Sequence, residues 1–279
     1  MKFTTRDCSS KEDYAHYDTK RLRSEYLVEQ PFGKDEIHLV YSYIDRIVFG
    51  GVIPAREQVA LNSAPELRAE HFLDRREMGV INVGQGAGKI KVDGIAYPLN
   101  HWEALYIGRG AKEVIFSSDD EKSPAMFYLA SAPAHRAYPT KLIDWEHAIH
   151  RHLGAKETCN ERSINQFILP ATVQTCQLEM GLTHLEPGSV WNTMPCHTHE
   201  RRMEVYMYFD MEEEQAVFHF MGPKEETRHI LVHNYQAVIS PSWSIHTGCS
   251  NKNYTFVWAM CGENQDFDDM DEIKISELR

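Results

Sequence analysis

The sequence predicts an all-β protein made of two β-barrel or sandwich domains with short helices. Three observations carry that expectation. Short strand-like runs separated by turn signals recur along most of the chain. They fall into two blocks that echo each other in sequence. The 279 residues also suffice for two medium domains, each with its own core. The boundary is expected at residue 150, giving domains over 1–150 and 151–279.

Residues 1–30 are polar and charged, and Ser10-Lys-Glu-Asp-Tyr-Ala-His-Tyr starts a short helix capped by Ser10. Ile37–Tyr43 and Ile44–Val48 read as strands that end at Gly50-Gly51, and Leu67 to Arg76 reads as helical or irregular. The first strand block follows, with Gly79–Val83, Lys89–Val92, Ala96–Leu99, Ala104–Ile107, Glu113–Ser117 and Ala125–Ala130. Asp93-Gly94 between two of these is a hairpin signal. Gly84-Gln-Gly-Ala-Gly88 has the glycines of a nucleotide loop. A dinucleotide fingerprint needs a helix next, however, and Lys89-Ile-Lys-Val is strand-like, so a tight turn is expected.

Ala132 to Arg162 reads as a linker in which Ile143–His152 is helical. Such a helix puts His147 and His150 on one face, but His152 falls off it. With no carboxylate at a useful spacing, a solvated face is expected. The second block opens at Ser163 and runs through Thr175–Leu185, Gln215–Met221, Arg228–Val232, Ala237–Ser240 and Tyr254–Met260. Glu186-Pro-Gly188 marks a turn. The tail, Asp266-Phe-Asp-Asp-Met-Asp-Glu272, has the composition of a calcium loop without its glycine or spaced ligands. Solvated charge or a helix start is expected there.

The blocks align with each other. Asp74-Arg-Arg-Glu-Met-Gly-Val parallels Glu200-Arg-Arg-Met-Glu-Val-Tyr, and Glu103-Ala-Leu-Tyr-Ile-Gly-Arg-Gly parallels Gln236-Ala-Val-Ile-Ser-Pro-Ser-Trp. In this register Glu113 falls opposite His246. The first block has Glu70-His71-Phe-Leu where the second has a His-x-His pair. Metal chemistry is therefore expected in the second domain alone.

Composition narrows the function. Lys+Arg 29 against Asp+Glu 41 gives a net charge of -12 without a basic patch, which argues against nucleic-acid binding. No apolar run reaches the roughly eighteen residues of a membrane span, and the polar start lacks a signal-peptide core. Six scattered cysteines without a C-x-x-C pair suggest neither a disulfide framework nor a cysteine zinc site. A reduced, cytoplasmic protein is expected.

The chemistry concentrates in Thr193-Met-Pro-Cys-His-Thr-His-Glu-Arg-Arg-Met-Glu204. On an extended strand, His197 and His199 project from the same face. Glu204 opens the aromatic run Val205–Phe209, and Ile239-Ser-Pro-Ser-Trp-Ser-Ile-His246 supplies a third histidine. Three imidazoles and a carboxylate suit a divalent first-row metal. The zinc-binding helix pattern does not fit, because two-residue spacing splits side chains across a helix. Cys196 has the opposite parity to both histidines, which argues against a ligand or nucleophile role.

Gly188 with His197-x-His199-x4-Glu204, and Pro241-x-x-x-x-His246, resemble the two motifs of the cupin superfamily. The first motif departs in a longer gap after the glycine and in lacking a glycine after the glutamate strand. In the second, Trp243 replaces a glycine. These departures affect turns and leave the ligands in place. The stretch from Leu185 to Tyr206 is similar to the bacterial 5-keto-4-deoxyuronate isomerase family, also called 4-deoxy-L-threo-5-hexosulose-uronate ketol-isomerases. The likeness extends through Tyr41-Ser-x-Ile-Asp-Arg-Ile, Arg75-Arg-Glu-x-Gly-Val-Ile-Asn, Thr227-Arg-His-Ile and Gly262-Glu-Asn-Gln-x-Phe-Asp-Asp-Met-Asp.

The resemblance implies two cupin-type jelly-roll barrels and one zinc per subunit, held by His197, His199, Glu204 and His246. It further implies a homohexamer in the cytoplasmic catabolism of pectin-derived or other unsaturated uronates. The implied reaction is an aldose–ketose shift on a small uronate, through an enediol. Glu263 and Glu179 are the candidate proton carriers, with a metal-bound hydroxide as the alternative. Arg201, Arg202 and Arg228 are candidates for the substrate carboxylate. Tyr206 and Tyr208 share parity with Glu204 and are expected to line the interior. The competing readings are an iron-dependent dioxygenase on a similar ligand set and a non-catalytic, sugar-binding cupin.

Overall fold

Strands account for most of the elements in the computed structural model, which describes residues 1–263 and 266–279. Asn264 and Gln265, part of the C-terminal stretch quoted above, lie outside the described residues. The described residues form two compact units. The first comprises Met1–Arg6, Gln30–Ile149 and Phe167–Met180. The second comprises Asp7–Glu29, His150–Gln166 and Gly181–Arg279. Relative to a split at residue 150, Asp7–Glu29 lies with the later residues and Phe167–Met180 with the earlier ones.

In the first unit, one sheet has the order Lys2–Arg6, His38–Ser42, Val48–Ile53, Phe127–Pro133, Arg76–Asn82, Ala104–Ile107, Lys141–Ile143. A four-stranded sheet has the order Val59–Ala60, Val114–Ser118, Gly88–Val92, Ile95–Leu99. Gly88–Val92 alternates buried and exposed residues, as expected of a strand with one wet face. Met78, Val80, Leu105 and Leu129 of the larger sheet join Ile90, Val92, Val114 and Phe116 of the smaller in one apolar cluster. The core therefore lies between the two sheets, and each such side chain contributes about 1.5–3 kcal/mol of burial.

Glu77 is the exception within this unit, a carboxylate with no exposed surface. The Tyr106 hydroxyl and the Cys176 N–H donate to its Oε2, each at 2.7 Å. The N–H groups of Gln177 and Leu178 donate to Oε1 at 2.7 and 2.9 Å. Four donors thus compensate the cost of burying the charge.

In the second unit, a seven-stranded sheet has the order Ile149–Leu153, Arg162–Ile168, Glu179–Leu185, Thr255–Gly262, Arg202–Phe209, Gln236–Ser240, Leu27–Val28. A four-stranded sheet has the order Trp191–Asn192, Ile245–Ser250, Val217–Gly222, Arg228–Val232. The two sheet orders repeat those of the first unit. Arg76–Asn82 and Arg202–Phe209 hold equivalent places, each between a long antiparallel partner and a shorter one. In the sequence register Met78, fully buried, stands at the place of Glu204, while Glu113 is half-exposed and pairs with Lys91 at 3.3 Å. A core side chain thus stands in the first unit at the place of Glu204.

The N-terminal helices join the second unit through specific contacts. Ser10 caps Lys11–Tyr14 as expected, its Oγ accepting from Asp13 N, and Asp18 caps Thr19–Tyr26 in the same way. The buried Tyr14 donates to the Met221 carbonyl at 3.0 Å. Arg228 donates to the Ala15 and Tyr17 carbonyls, and Leu27–Val28 pairs with Val238 and Ala237.

Several expectations are corrected. Ile44 to Ile47 is a turn with Asp45 and Arg46 in the left-handed region, and the strand runs from Val48 through both glycines. A Cβ on Gly50 would sit 2.0 Å from the His38 carbonyl oxygen, so the glycines admit close strands rather than ending one. Ile143–His152 is not helical. Asp144 caps a 3-10 turn at Trp145–His147, and Ile149–Leu153 is a strand. His150 and His152 then share a face, within 2.7 Å of Asn165 Oδ1 and 3.2 Å of Glu161 Oε1. In the acidic tail, Asp271–Glu272 forms a short strand against His197–Thr198. Strand Lys2–Arg6 and helix Thr19–Tyr26 were not expected from sequence.

Candidate metal centre

Every residue of Arg202–Phe209 is buried, and the strand fixes Glu204 between Ser240 and Met260 on its two neighbours. His197 sits on the two-residue strand that pairs with Asp271–Glu272. The next turn is held where the His199 N–H donates to the Ser242 carbonyl. His246 is the second residue of Ile245–Ser250 and lies opposite Met221. Three strands and a turn thus converge four side chains that are distant in sequence.

One ligand atom from each of His197, His199, Glu204 and His246 lies within 4.8 Å of all the others. His246 Nε2 is 3.0 Å from His197 Nε2 and 2.9 Å from Glu204 Oε2, and His199 Nε2 is 3.7 Å from the same oxygen. The His197 and His199 rings stack with centroids 4.6 Å apart, and His246 stands edge-on to both. Burial, followed by the charge of neighbouring His246, holds the His197 and His199 pKa values well below the usual histidine range. Both rings are therefore neutral, the form in which imidazole binds metal.

The group could hold a metal ion. His199 Nε2 is buried without a hydrogen-bond partner, and the buried Glu204 Oε2 is approached only by the imidazole nitrogens of His246 and His199, so a bound cation would serve both atoms. Separations of 2.9, 3.0 and 3.7 Å among these ligand atoms bracket the roughly 3.4 Å set by tetrahedral metal–ligand bonds of about 2.0–2.2 Å. Arg202, about 1 % exposed, donates from Nε to His199 Nδ1 at 2.7 Å and from its Nη atoms to the Asp266 and Phe267 carbonyls. With Nδ1 accepting, the proton of a neutral His199 sits on Nε2, so a metal at that nitrogen must displace it.

The ligand group opens onto a cavity of about 340 Å³, within the range of small-molecule sites. His197, His199 and Glu204 form part of its wall, with Tyr206, Phe256, Trp258, Met260 and Arg162 around them. Of the other sequence candidates, Arg202 and Tyr206 also line it. Arg201 is exposed and pairs with Asp269, because it alternates in direction with Arg202. Arg228 is turned to the N-terminal helices. Tyr208 is buried with its hydroxyl 2.7 Å from His219 Nδ1. Glu263 is exposed beyond the end of a strand, Glu179 is fully buried, and neither is in the wall.

Cys196 packs with Ile245 and Ile273, away from the ligands, and burial raises its thiol pKa. Sequence reasoning missed the aromatic wall. Phe256, Trp258 and Met260 share parity on Thr255–Gly262, and that alternation was a readable signal. It also missed Arg162, Asp268 and Glu272, which line the cavity from strands and a tail assigned no role.

The sequence matches the model of the KduI/IolB family over residues 26–275. It is 56% identical over 274 residues to the 4-deoxy-L-threo-5-hexosulose-uronate ketol-isomerase of Lachnoclostridium phytofermentans, covering 98% of this chain and 99% of that one. It is 58% identical over 264 residues to the protein of the same name from Yersinia pestis, covering 94% and 95%. Among solved structures, an IolB-like protein from Salmonella typhimurium aligns with a TM-score of 0.70 at 13% identity, over 89% of this chain and 96% of that one. Oxalate decarboxylase from Lactobacillus farciminis aligns with a TM-score of 0.54 at 8% identity, over 83% and 79%. At such identities these two structures speak for the fold alone. With the family model spanning most of the sequence and relatives more than half identical along nearly all of it, the chain belongs to the KduI/IolB family.

Proposed function

We propose that the chain is an aldose–ketose isomerase converting 5-dehydro-4-deoxy-D-glucuronate to 3-deoxy-D-glycero-2,5-hexodiulosonate in uronate catabolism. The observation that carries this reading is the identity of more than half to relatives named as the uronate ketol-isomerase, over nearly the full length of both chains. The buried three-histidine, one-carboxylate group beside a cavity of about 340 Å³ supports it. His197, His199, Glu204 and His246 would hold one zinc ion per subunit. When bound, such an ion supplies Lewis acidity that polarises a carbonyl and its neighbouring hydroxyl.

The remaining work falls to the cavity wall. An aldose–ketose shift moves a proton from C2 to C1 and another between the two oxygens, through an enediol. A carboxylate in the wall suits the carbon-to-carbon transfer. Glu272 lies directly opposite His197 in the strand ladder, so both side chains project from one face, and both line the cavity. It therefore takes precedence over Glu263 and Glu179 as proton carrier. Tyr206, 3.2 Å from Thr193 Oγ1, keeps its hydroxyl proton because burial raises its pKa well above the usual range, and so can donate a hydrogen bond to substrate. The guanidinium of Arg202 is engaged with His199 and two backbone carbonyls, which makes it a positioning residue.

The same reading assigns two cupin-type domains, a homohexamer and a cytoplasmic site of action. No helix among the described residues is long and apolar enough to cross a membrane. The test is direct: purified protein is incubated with 5-dehydro-4-deoxy-D-glucuronate, and the ketose is followed by nuclear magnetic resonance. Formation of the 2,5-diulosonate supports the proposal. Uronate binding without turnover in metal-replete protein would overturn it in favour of a binding module.

A further inference from the structure

We infer that Arg162 is the anchor for the carboxylate of the sugar-acid substrate, placed in the wall of the cavity onto which the metal-binding group opens. The inference rests on the isomerase reading and adds to it the residue that selects an acid. Arg162 opens the strand Arg162–Ile168, where it shares parity with Ile164, and both line the cavity. Its Nη1 donates to the Asn160 carbonyl at 2.9 Å, and among the described residues no carboxylate is paired with it. Burial lowers its pKa, and the groups that act on it electrostatically are the hydroxyls of Tyr206 and Tyr254.

The other two arginines in the wall are differently placed. Arg151 pairs with Asp268 at 3.3 Å, and Arg202 is bonded to His199 and two carbonyls. Among the described residues Arg162 has no carboxylate partner, whereas the Arg202 guanidinium is already occupied on its Nε and both Nη atoms. A half-buried guanidinium in an aromatic wall suits a carboxylate, which it can bind through two parallel N–H groups.

Its position matches the chemistry of the substrate. Tyr206 lines the same cavity as Glu204 and Arg162, and its ring lies 5.4 Å from that of His246. The tyrosine, the ligand group and the arginine therefore face one cavity. A six-carbon acid carries its aldehyde and its carboxylate at opposite ends. With C1 at the ligand group, the carboxylate reaches toward Arg162, and a neutral sugar of the same length leaves the guanidinium without an anion.

The test compares wild type, Arg162→Met and Arg162→Lys in zinc-loaded protein. Three quantities are read: KM and kcat for 5-dehydro-4-deoxy-D-glucuronate, calorimetric binding of D-glucuronate as a non-reacting acid, and thermal unfolding without ligand. Arg162→Met is expected to raise KM and weaken D-glucuronate binding by roughly 30-fold, about 2 kcal/mol, with Arg162→Lys recovering part of both. Unfolding without ligand should change little, since the half-buried Arg162 gives up a single hydrogen bond, to the Asn160 carbonyl; a purely structural arginine would lower the unfolding temperature and leave D-glucuronate binding unchanged. An active wild type with KM and D-glucuronate binding unchanged within two-fold in Arg162→Met overturns the inference. An inactive wild type overturns the isomerase reading instead, and the calorimetric comparison then still decides whether Arg162 binds the acid.

Discussion

Replacing Glu77 with glutamine keeps the shape of the side chain and removes one acceptor oxygen from a site that feeds four donors. The native carboxylate accepts from Tyr106 and Cys176 on one oxygen and from Gln177 and Leu178 on the other. Glutamine can serve two of these with a neutral oxygen, and its amide N–H groups then face the other two donors. Each buried donor left without an acceptor costs about 1–3 kcal/mol, and the retained bonds weaken as the charge is lost. The expected loss is therefore about 4 kcal/mol or more, a large share of the roughly 5–15 kcal/mol that holds a domain folded.

Guanidinium denaturation of wild type and Glu77→Gln measures the difference. Amide hydrogen exchange at Cys176–Leu178 shows whether the loss is local, because these N–H groups should exchange faster before the rest of the first unit opens. A loss below about 1 kcal/mol, with those amides still protected, would refute the reasoning.

Other consequences follow from packing and burial. A Cβ on Gly181 would sit 2.3 Å from the Trp258 ring and 2.4 Å from the Asn165 carbonyl oxygen. Gly181→Ala should cost about 1–3 kcal/mol in thermal unfolding and, by displacing a wall residue, raise KM more than it lowers kcat. His219 is fully buried beside Tyr208, and burial, then the charge of His246, pushes its pKa down to about 3. Between the ordinary value of 6.5 and about 3, the unfolded chain binds a proton that the folded chain refuses. Stability should therefore fall as pH drops through that window and be fully present above it. His219→Gln should be less stable at pH 7 yet show a shallower acid slope in chemical denaturation; equal slopes would show that His219 is not held neutral.

Strand parity made much of the site legible. His-x-His and the spacing to Glu204 are local and readable as a pattern, although the strand ends at Thr198 and His199 reaches the group from the following turn. His246 needed more, because Ile245-His-Thr-Gly-Cys-Ser250 lacks the apolar alternation of a half-buried strand and becomes one through its partner Val217–Gly222. Asp271–Glu272 likewise owes its strand to the backbone of His197–Thr198, a pairing that an acidic sequence does not advertise. The helical reading of Ile143–His152 failed because its apolar spacing was counted without the Asp144 cap that closes a short turn and starts a strand. Arg162 and Glu77 show the deeper limit. Their roles depend on which charges the fold brings near them, and a single sequence records neither a missing anion nor a ring of donors.

The central claim is that His197, His199, Glu204 and His246 hold the metal on which isomerisation depends. The most direct measurement is the isomerisation rate against metal content, as a chelator empties the protein and zinc is returned, with His246→Ala alongside. The account predicts activity that falls in proportion to zinc, returns at one zinc per chain, and is absent with the metal in His246→Ala. Full turnover by folded, metal-free protein would contradict it.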